Sequence, residues 1–281
     1  MNIRYINKED IVNTVRDLCI DAAINLPEDV FESLDISSKK ETSALCKSIF
    51  EELKENAKIA KQDSIPICQD TGLAIVFVEI GQDVHMNFNI YDAINEGVAK
   101  GYDEGYLRKS VVKHPLDRVN TNDNTPAIIH LSLVSGDKIK LTVAPKGGGS
   151  ENMSKVSVFP PALGEKGVID FATDVVKSAG SNPCPPIILG VGIGGSIEIA
   201  ALLSKKALLR KIGSKNSNSI DNELEKKILN AVNNTKIGAG GYGGDITALA
   251  VFVESYPCHI ASLPIAITIQ CHAARHKERV I

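Results

Sequence analysis

Pro66-Ile67-Cys68-Gln69-Asp70-Thr71-Gly72, running straight into Leu73-Ala74-Ile75-Val76-Phe77-Val78-Glu79-Ile80, decides the fold. The second half is a near-continuous apolar run, which reads as a strand covered on both faces. A strand covered on both faces needs helices above and below it, so the expected class is α/β, with mixed sheets flanked by helices. The first half places a thiol, an amide, a carboxylate and a hydroxyl at four consecutive positions, 68 to 71. A connection held between a helix and a buried strand is a usual place for site residues. Two readings stand at this point: Cys68 as an iron ligand with Asp70 working beside the metal, or a turn with a stray cysteine.

Upstream of this stretch the chain reads as helical. Asn7 can cap a helix over about 8–26, with Ile11, Val15, Leu18, Ala22 and Ile24 as its apolar stripe. Cys19 falls beside that stripe and reads as a small core residue. Pro27 opens a short helical turn, and a longer helix is expected over 38–62, with Cys46 inside it and structural. These helices, about 1–65, are expected to pack on the α/β remainder in a single domain, 1–281.

Downstream, residues 87–90 read as a further strand and 91–106 as a helix. Arg108 leads a polar, irregular segment over 113–125, in which His114 and Asp117 are weaker candidates. An arginine there suits a carboxylate substrate, because its planar fork pairs with both oxygens. Residues 127–134 and 139–143, joined by Ser135-Gly136-Asp137, read as a hairpin. It leads to Lys146-Gly147-Gly148-Gly149-Ser150-Glu151-Asn152, where successive glycines let backbone amides approach a ligand.

Helices are expected over 164–180, 197–209 and 221–233, and strands over 187–191, 247–253 and 260–269. The turn Gly192-Ile193-Gly194-Gly195 resembles a dinucleotide site, but its glycines do not give G-x-G-x-x-G. Close packing of helix on strand is the better reading. A third glycine-rich loop lies at Gly238–Gly244, and Tyr256-Pro257-Cys258-His259 separates the last two strands.

Totals bound the function. A chain of 281 residues, 43% hydrophobic and 23% charged, is soluble and globular in composition. A net charge of −3, from 31 basic and 34 acidic residues, gives no electrostatic case for nucleic acid or an anionic membrane. The apolar runs are too short to span a bilayer. The start Met1-Asn2-Ile3-Arg4-Tyr5 lacks the apolar core of a signal peptide, so a cytoplasmic location is expected. Six cysteines without any C-x-x-C pair are then expected to be thiols or metal ligands rather than disulfides.

Cys68, Cys184 and Cys271 share a setting, each at the end of an apolar or helical element, the first two beside prolines. Three isolated thiolates can hold an iron–sulfur cube by three corners and leave its fourth iron open as a Lewis acid. Buried structural thiols are the alternative.

The segments Ile67-Cys68-Gln69-Asp70-Thr71-Gly72, Lys146 to Asn152, Asn182-Pro183-Cys184-Pro185-Pro186, Gly192 to Gly195, and His259-Ile260-Ala261-Ser262-Leu263-Pro264 through Gln270-Cys271 resemble the iron–sulfur hydro-lyases. More narrowly, they resemble the alpha subunit of class I fumarate hydratase and its relative L-tartrate dehydratase, in order and over nearly the whole chain. The resemblance implies a [4Fe-4S] cluster with one open iron on Cys68, Cys184 and Cys271. It implies substrate contacts from Gln69 and Asp70, a carboxylate grip from Arg108, and a histidine near the substrate hydroxyl, His259. Gly148 and Gly149 would offer backbone contacts. Position 272 is His, where many members carry Trp. Single-chain members continue into a second domain with further arginines, a lysine and a threonine. This chain is therefore expected to work with a separate beta subunit, as α2β2, on a small dicarboxylate: fumarate hydrated to malate, or alternatively tartrate dehydrated to oxaloacetate. The rivals are a non-catalytic iron–sulfur carrier, which needs no carboxylate clamp, and a nucleotide-binding enzyme, which the broken glycine fingerprint disfavours.

Overall fold

The computed structural model describes residues 3–281, and its elements follow in chain order. They are β1 (Arg4–Tyr5), α1 (Lys8–Ile24), α2 (Glu28–Lys40), α3 (Ala44–Asp63), β2 (Leu73–Gly81), β3 (Val84–His85), α4 (Ile90–Glu104), β4 (Ile128–Val134), β5 (Ile139–Lys146), α5 (Gly148–Glu151), β6 (Lys155–Phe159), α6 (Gly164–Ala179), β7 (Ile187–Gly194), α7 (Ile197–Ala207), α8 (Ser219–Asn233), β8 (Ala248–Tyr256), β9 (Leu263–Gln270) and β10 (Lys277–Val280). The class is mixed α/β with mixed sheets flanked by helices, as the apolar runs require. Two compact units form. Of the described residues, the first holds 3–26, 57–148 and 275–281; the second holds 27–56 and 149–274. The helices expected as one part over about 1–65 are thus shared between the units.

The first unit is built on the sheet β10-β5-β2-β4. β2 runs parallel to β4 and antiparallel to β5, and β10 is antiparallel to β5. Helix α1 packs on α4 and β5. Ile11, Val15 and Leu18 of α1 meet Ile94, Val98 and Tyr102 of α4 over Val76, Val78, Leu141 and Val143. The expected hairpin of β4 and β5 does not form, because β2 lies between them. The connecting turn instead crosses the end of β2. Gly81 donates to the Lys138 carbonyl, and Gln82 to that of Val134. β2 and β5 are buried along nearly their whole length and take the two inner places, and the more exposed β4 and β10 take the edges. The strand expected over 87–90 is also absent. Asn89 instead caps α4, its side chain accepting from the Tyr91 amide at 2.9 Å.

The second unit repeats the same strand senses in the sheet β6-β9-β7-β8: β7 is parallel to β8, β9 antiparallel to β7, and β6 antiparallel to β9. The strands expected over 187–191, 247–253 and 260–269 thus form a second sheet of the same design as the first. Helices α6 and α8 pack together, α8 against β8, and α7 against β7. Val168, Val175, Leu189, Val191, Ile228, Val253, Ile265 and Ile267 form the core. A methyl on Gly192 would stand 2.0 Å from the Ala200 carbonyl oxygen of α7. The Gly192 turn is thus explained by helix α7 lying directly on β7, as expected in place of a nucleotide site. The helix expected over 38–62 is broken at Glu41–Ser43, where the Glu41 carboxylate accepts from the Thr42 and Ser43 amides.

Candidate active site

In each unit candidate residues gather where an inner strand begins, all but His259 in the second. In the first unit Cys68, Gln69 and Asp70 precede β2, and the antiparallel neighbour β5 ends alongside, with Leu73 opposite Lys146. The triple glycine therefore emerges beside the Asp70 loop. Asp70 is held at both oxygens. Its Oδ1 accepts from the Gly72 amide at 3.1 Å and its Oδ2 from the Gly148 amide at 2.7 Å. Gly72 has φ 79°, a left-handed turn that a side chain resists, and its α-carbon lies against the Lys146 backbone. Thr71 Oγ1 donates to the Arg108 carbonyl at 3.0 Å, which brings the Arg108 segment to the same end. Tyr102, buried in the core, donates its hydroxyl to the Thr71 and Gly72 carbonyls, and burial pushes its pKa up. Buried Asn124 ties the same loop in, donating to Gly72 and accepting from Ser110.

One member of this half had no signal in the sequence. Arg275, only 4% exposed, donates from Nη2 to the Asp70 carbonyl. Its Nε and Nη1 are buried without a hydrogen-bond partner among the described residues. The sequence shows a basic tail there, and only the return of the chain past Asp70 gives the arginine its place. His114 accepts at Nδ1 from the Leu116 and Asp117 amides, which makes it a turn former.

In the second unit Cys184 lies three positions before β7, and Cys271 directly follows β9. The register Ile188 opposite Gln270 puts both at the same end of the sheet. His272 closes the gap, with its backbone amide 3.4 Å and its ring Nδ1 3.0 Å from the Cys184 carbonyl oxygen. The third glycine-rich loop supports this end: the Gly240 amide donates to the Pro185 carbonyl at 2.8 Å. That loop rests on the α2–α3 junction in turn. The Glu41 carboxylate accepts from the Asp245 and Ile246 amides, and the Cys46 thiol donates to the Gly243 carbonyl. Gly149 stands beside the Asn182 carbonyl.

His259 is not brought to this end. It sits between β8 and β9, where Tyr256 pairs with Gly194, at the far edge of the same sheet. The eight residues of β7 separate it from Cys184 by roughly 25 Å. There it lines a cavity of about 400 Å³ with Cys258, Ile193, Leu224 and Leu263. Its Nδ1 accepts from the Ala261 amide at 3.1 Å, which leaves Nε2 to carry the proton of the neutral ring.

The cysteines fall into distinct environments. Cys19 and Cys46 are buried in the two units, and burial pushes the Cys19 thiol up to about 12. Cys68, Cys184 and Cys271 are partly or fully exposed, and none of the six is in a disulfide. Among the described residues no three His, Cys, Asp or Glu side chains form a ready-made metal-binding group. The donor chemistry nevertheless fits an iron–sulfur cluster. Three accessible thiols lie on loops at the ends of buried strands, two of them tied together by His272. No helix among the described residues is long and apolar enough to cross a membrane.

The chain matches the family described as fumarate hydratase (Fumerase) over residues 12–280. A Methanocaldococcus jannaschii chain, named provisionally as an L(+)-tartrate dehydratase subunit alpha, is 44% identical over 272 residues, covering 94% of this chain and 95% of that one. The L(+)-tartrate dehydratase subunit alpha of Escherichia coli UTI89 is 31% identical over 277 residues, covering 96% and 91%; that of strain K12 is 30% identical over the same length. The chain belongs to the fumarate hydratase family and with it to the hydro-lyases.

Proposed function

We propose that the chain is the α subunit of an iron–sulfur hydro-lyase that reversibly hydrates fumarate to malate together with a separate β subunit, as α2β2. The observation that carries this reading is the first unit's convergence of the Cys68 loop, the doubly held Asp70 carboxylate and the Arg108 backbone at one sheet end. A carrier of electrons or clusters needs a thiol there, but no fixed carboxylate beside it.

Cys68, Cys184 and Cys271 would hold a [4Fe-4S] cluster, which when bound supplies a Lewis acid at its open iron. Asp70 takes or gives the proton of the hydroxyl that is added or lost, a role worth about 10²- to 10⁴-fold in rate. Its two backbone donors hold the carboxylate at one place and orientation. Arg108 binds a substrate carboxylate through paired hydrogen bonds, and Gln69 with the backbone at Gly148 and Gly149 completes the cradle. The proton on carbon is left to the β subunit. His259 stands roughly 25 Å from Cys184 within its own unit. In a site built on the three cysteines it serves only from a second copy of the chain.

Tartrate dehydration is the second reading, favoured by the names of the similar chains. The test is anaerobic reconstitution of the chain with its β subunit, followed by parallel assays with malate, fumarate and L(+)-tartrate. Faster turnover of malate and fumarate supports the first reading. A marked preference for tartrate moves the function to the second. A colourless protein under full iron and sulfide supply removes both.

A further inference from the structure

We propose that His272 is a positioning residue that clamps the two thiol-bearing segments of the second unit, setting the spacing of Cys184 and Cys271. The inference rests on the cluster reading for its function, but its geometry stands apart from it. A carbonyl oxygen only accepts, so the contact at 3.0 Å requires the proton on Nδ1 of His272. The backbone amide of the same residue reaches the same oxygen at 3.4 Å. One residue thus binds the Cys184 carbonyl twice, and the residue before it is Cys271.

The Cys184 backbone needs such a hold. It adopts φ 53°, the left-handed region, which a residue with a side chain resists. Strained backbone of this kind persists where its surroundings over-determine it. Here the surroundings are the Cys184 amide on the Ser181 carbonyl, Gly240 on the Pro185 carbonyl, and His272 on the Cys184 carbonyl. Of these, only the His272 contact links the Cys184 segment to Cys271. A group that orients metal ligands from outside the coordination shell is worth about 10- to 100-fold in metal retention.

The test compares His272→Phe, which keeps a ring and loses the donor, with His272→Asn, whose amide nitrogen stands where Nδ1 does. Two readouts are taken on the full chain. In the iron-free protein, phenylarsine oxide bridges two nearby thiols with loss of water, and peptide mass mapping gives the rate of capture across Cys184 and Cys271. In the anaerobically reconstituted protein, iron per chain and the rate of bleaching in air are measured. Expected are capture about tenfold slower and bleaching about tenfold faster in His272→Phe, with His272→Asn near the parent in both. Equal rates in His272→Phe and the parent overturn the clamp, as do equal losses in both variants. A parent chain that takes up no iron, yet shows the expected difference in arsenical capture, supports the clamp and removes the cluster.

Discussion

Arg275 donates from Nη2 to the main-chain carbonyl oxygen of Asp70, so a side chain from the last residues of the chain holds the loop that carries the candidate acid–base group. The bond fixes where Asp70 starts, as the Gly72 and Gly148 amides fix where its carboxylate ends. A hydrogen bond to a charged group is worth about 1.5–3 kcal/mol. Arg275→Lys keeps the charge and loses the planar fork. Expected is a fall in kcat of about tenfold or more with little change in KM, since the group moved is the proton carrier. Steady-state kinetics of the assembled enzyme decide it. A raised KM at unchanged kcat would instead place the guanidinium on the substrate.

Asp70→Asn is expected to leave the iron content unchanged and to lower turnover by about a hundredfold or more. The amide keeps one acceptor oxygen, so it can serve Gly72 or Gly148 but not both. A small loss of stability therefore accompanies the variant, read as a lower Tm. Near-parental turnover with full iron would take Asp70 out of the chemistry.

Serine at position 68, 184 or 271 is expected to abolish iron retention, and serine at 19, 46 or 258 to leave it intact. Cys19→Ser and Cys46→Ser should cost about 1–3 kcal/mol instead, by placing a hydroxyl in a packed interior. Iron analysis and urea unfolding separate the two sets. Loss of iron in Cys19→Ser with retention in Cys184→Ser would reverse the assignment.

Much of this was legible in residue pattern. The apolar run at 73–80 announces a strand covered on both faces, and β2 is one of the two inner strands of its sheet. The close packing at Gly192 follows from a glycine placed where only glycine fits. Strand order was not legible. The Ser135-Gly136-Asp137 turn has hairpin chemistry, yet the partner of each flanking strand is β2, because burying its two apolar faces outweighs local pairing. Arg275 and His272 were illegible for the same reason. Their roles exist only once distant segments meet, and neither sits in a local pattern.

Glu41 links pH to the scaffold under Cys184. Its carboxyl is buried, which by itself would raise its pKa, but the amides of Asp245, Ser43, Ile246 and Thr42 outweigh burial and hold it below the ordinary 4.5. A carboxyl with a depressed folded pKa stabilises the fold above its unfolded value and loses that contribution as pH falls through the folded one. Stability of the second unit should therefore be level from neutrality down to about pH 5 and decline below it. Glu41→Gln should flatten that decline and lower stability at pH 7. Urea unfolding between pH 3 and pH 7 measures both, and an equal acid slope in the variant would remove Glu41 as its source.

His259 provides the sharpest test of how the sites are composed. It lies at the Gly194 end of the second sheet, whereas Cys184 and Cys271 lie at the Ile188 end. No side-chain rotation spans eight residues of strand, so a site containing all three needs two chains. Asp70→Asn and His259→Asn chains should each be weak alone. Mixed before assembly, they place an intact Asp70 of one chain with an intact His259 of the other. For a two-fold pair mixed at random, activity should recover to about a quarter of the parent, since half the pairs are mixed and each holds one complete site. Activity no higher than the mean of the two variants would mean that no site is shared between copies. Parental turnover in His259→Asn alone would mean that the histidine serves the cavity it lines at the far edge, and not the reaction.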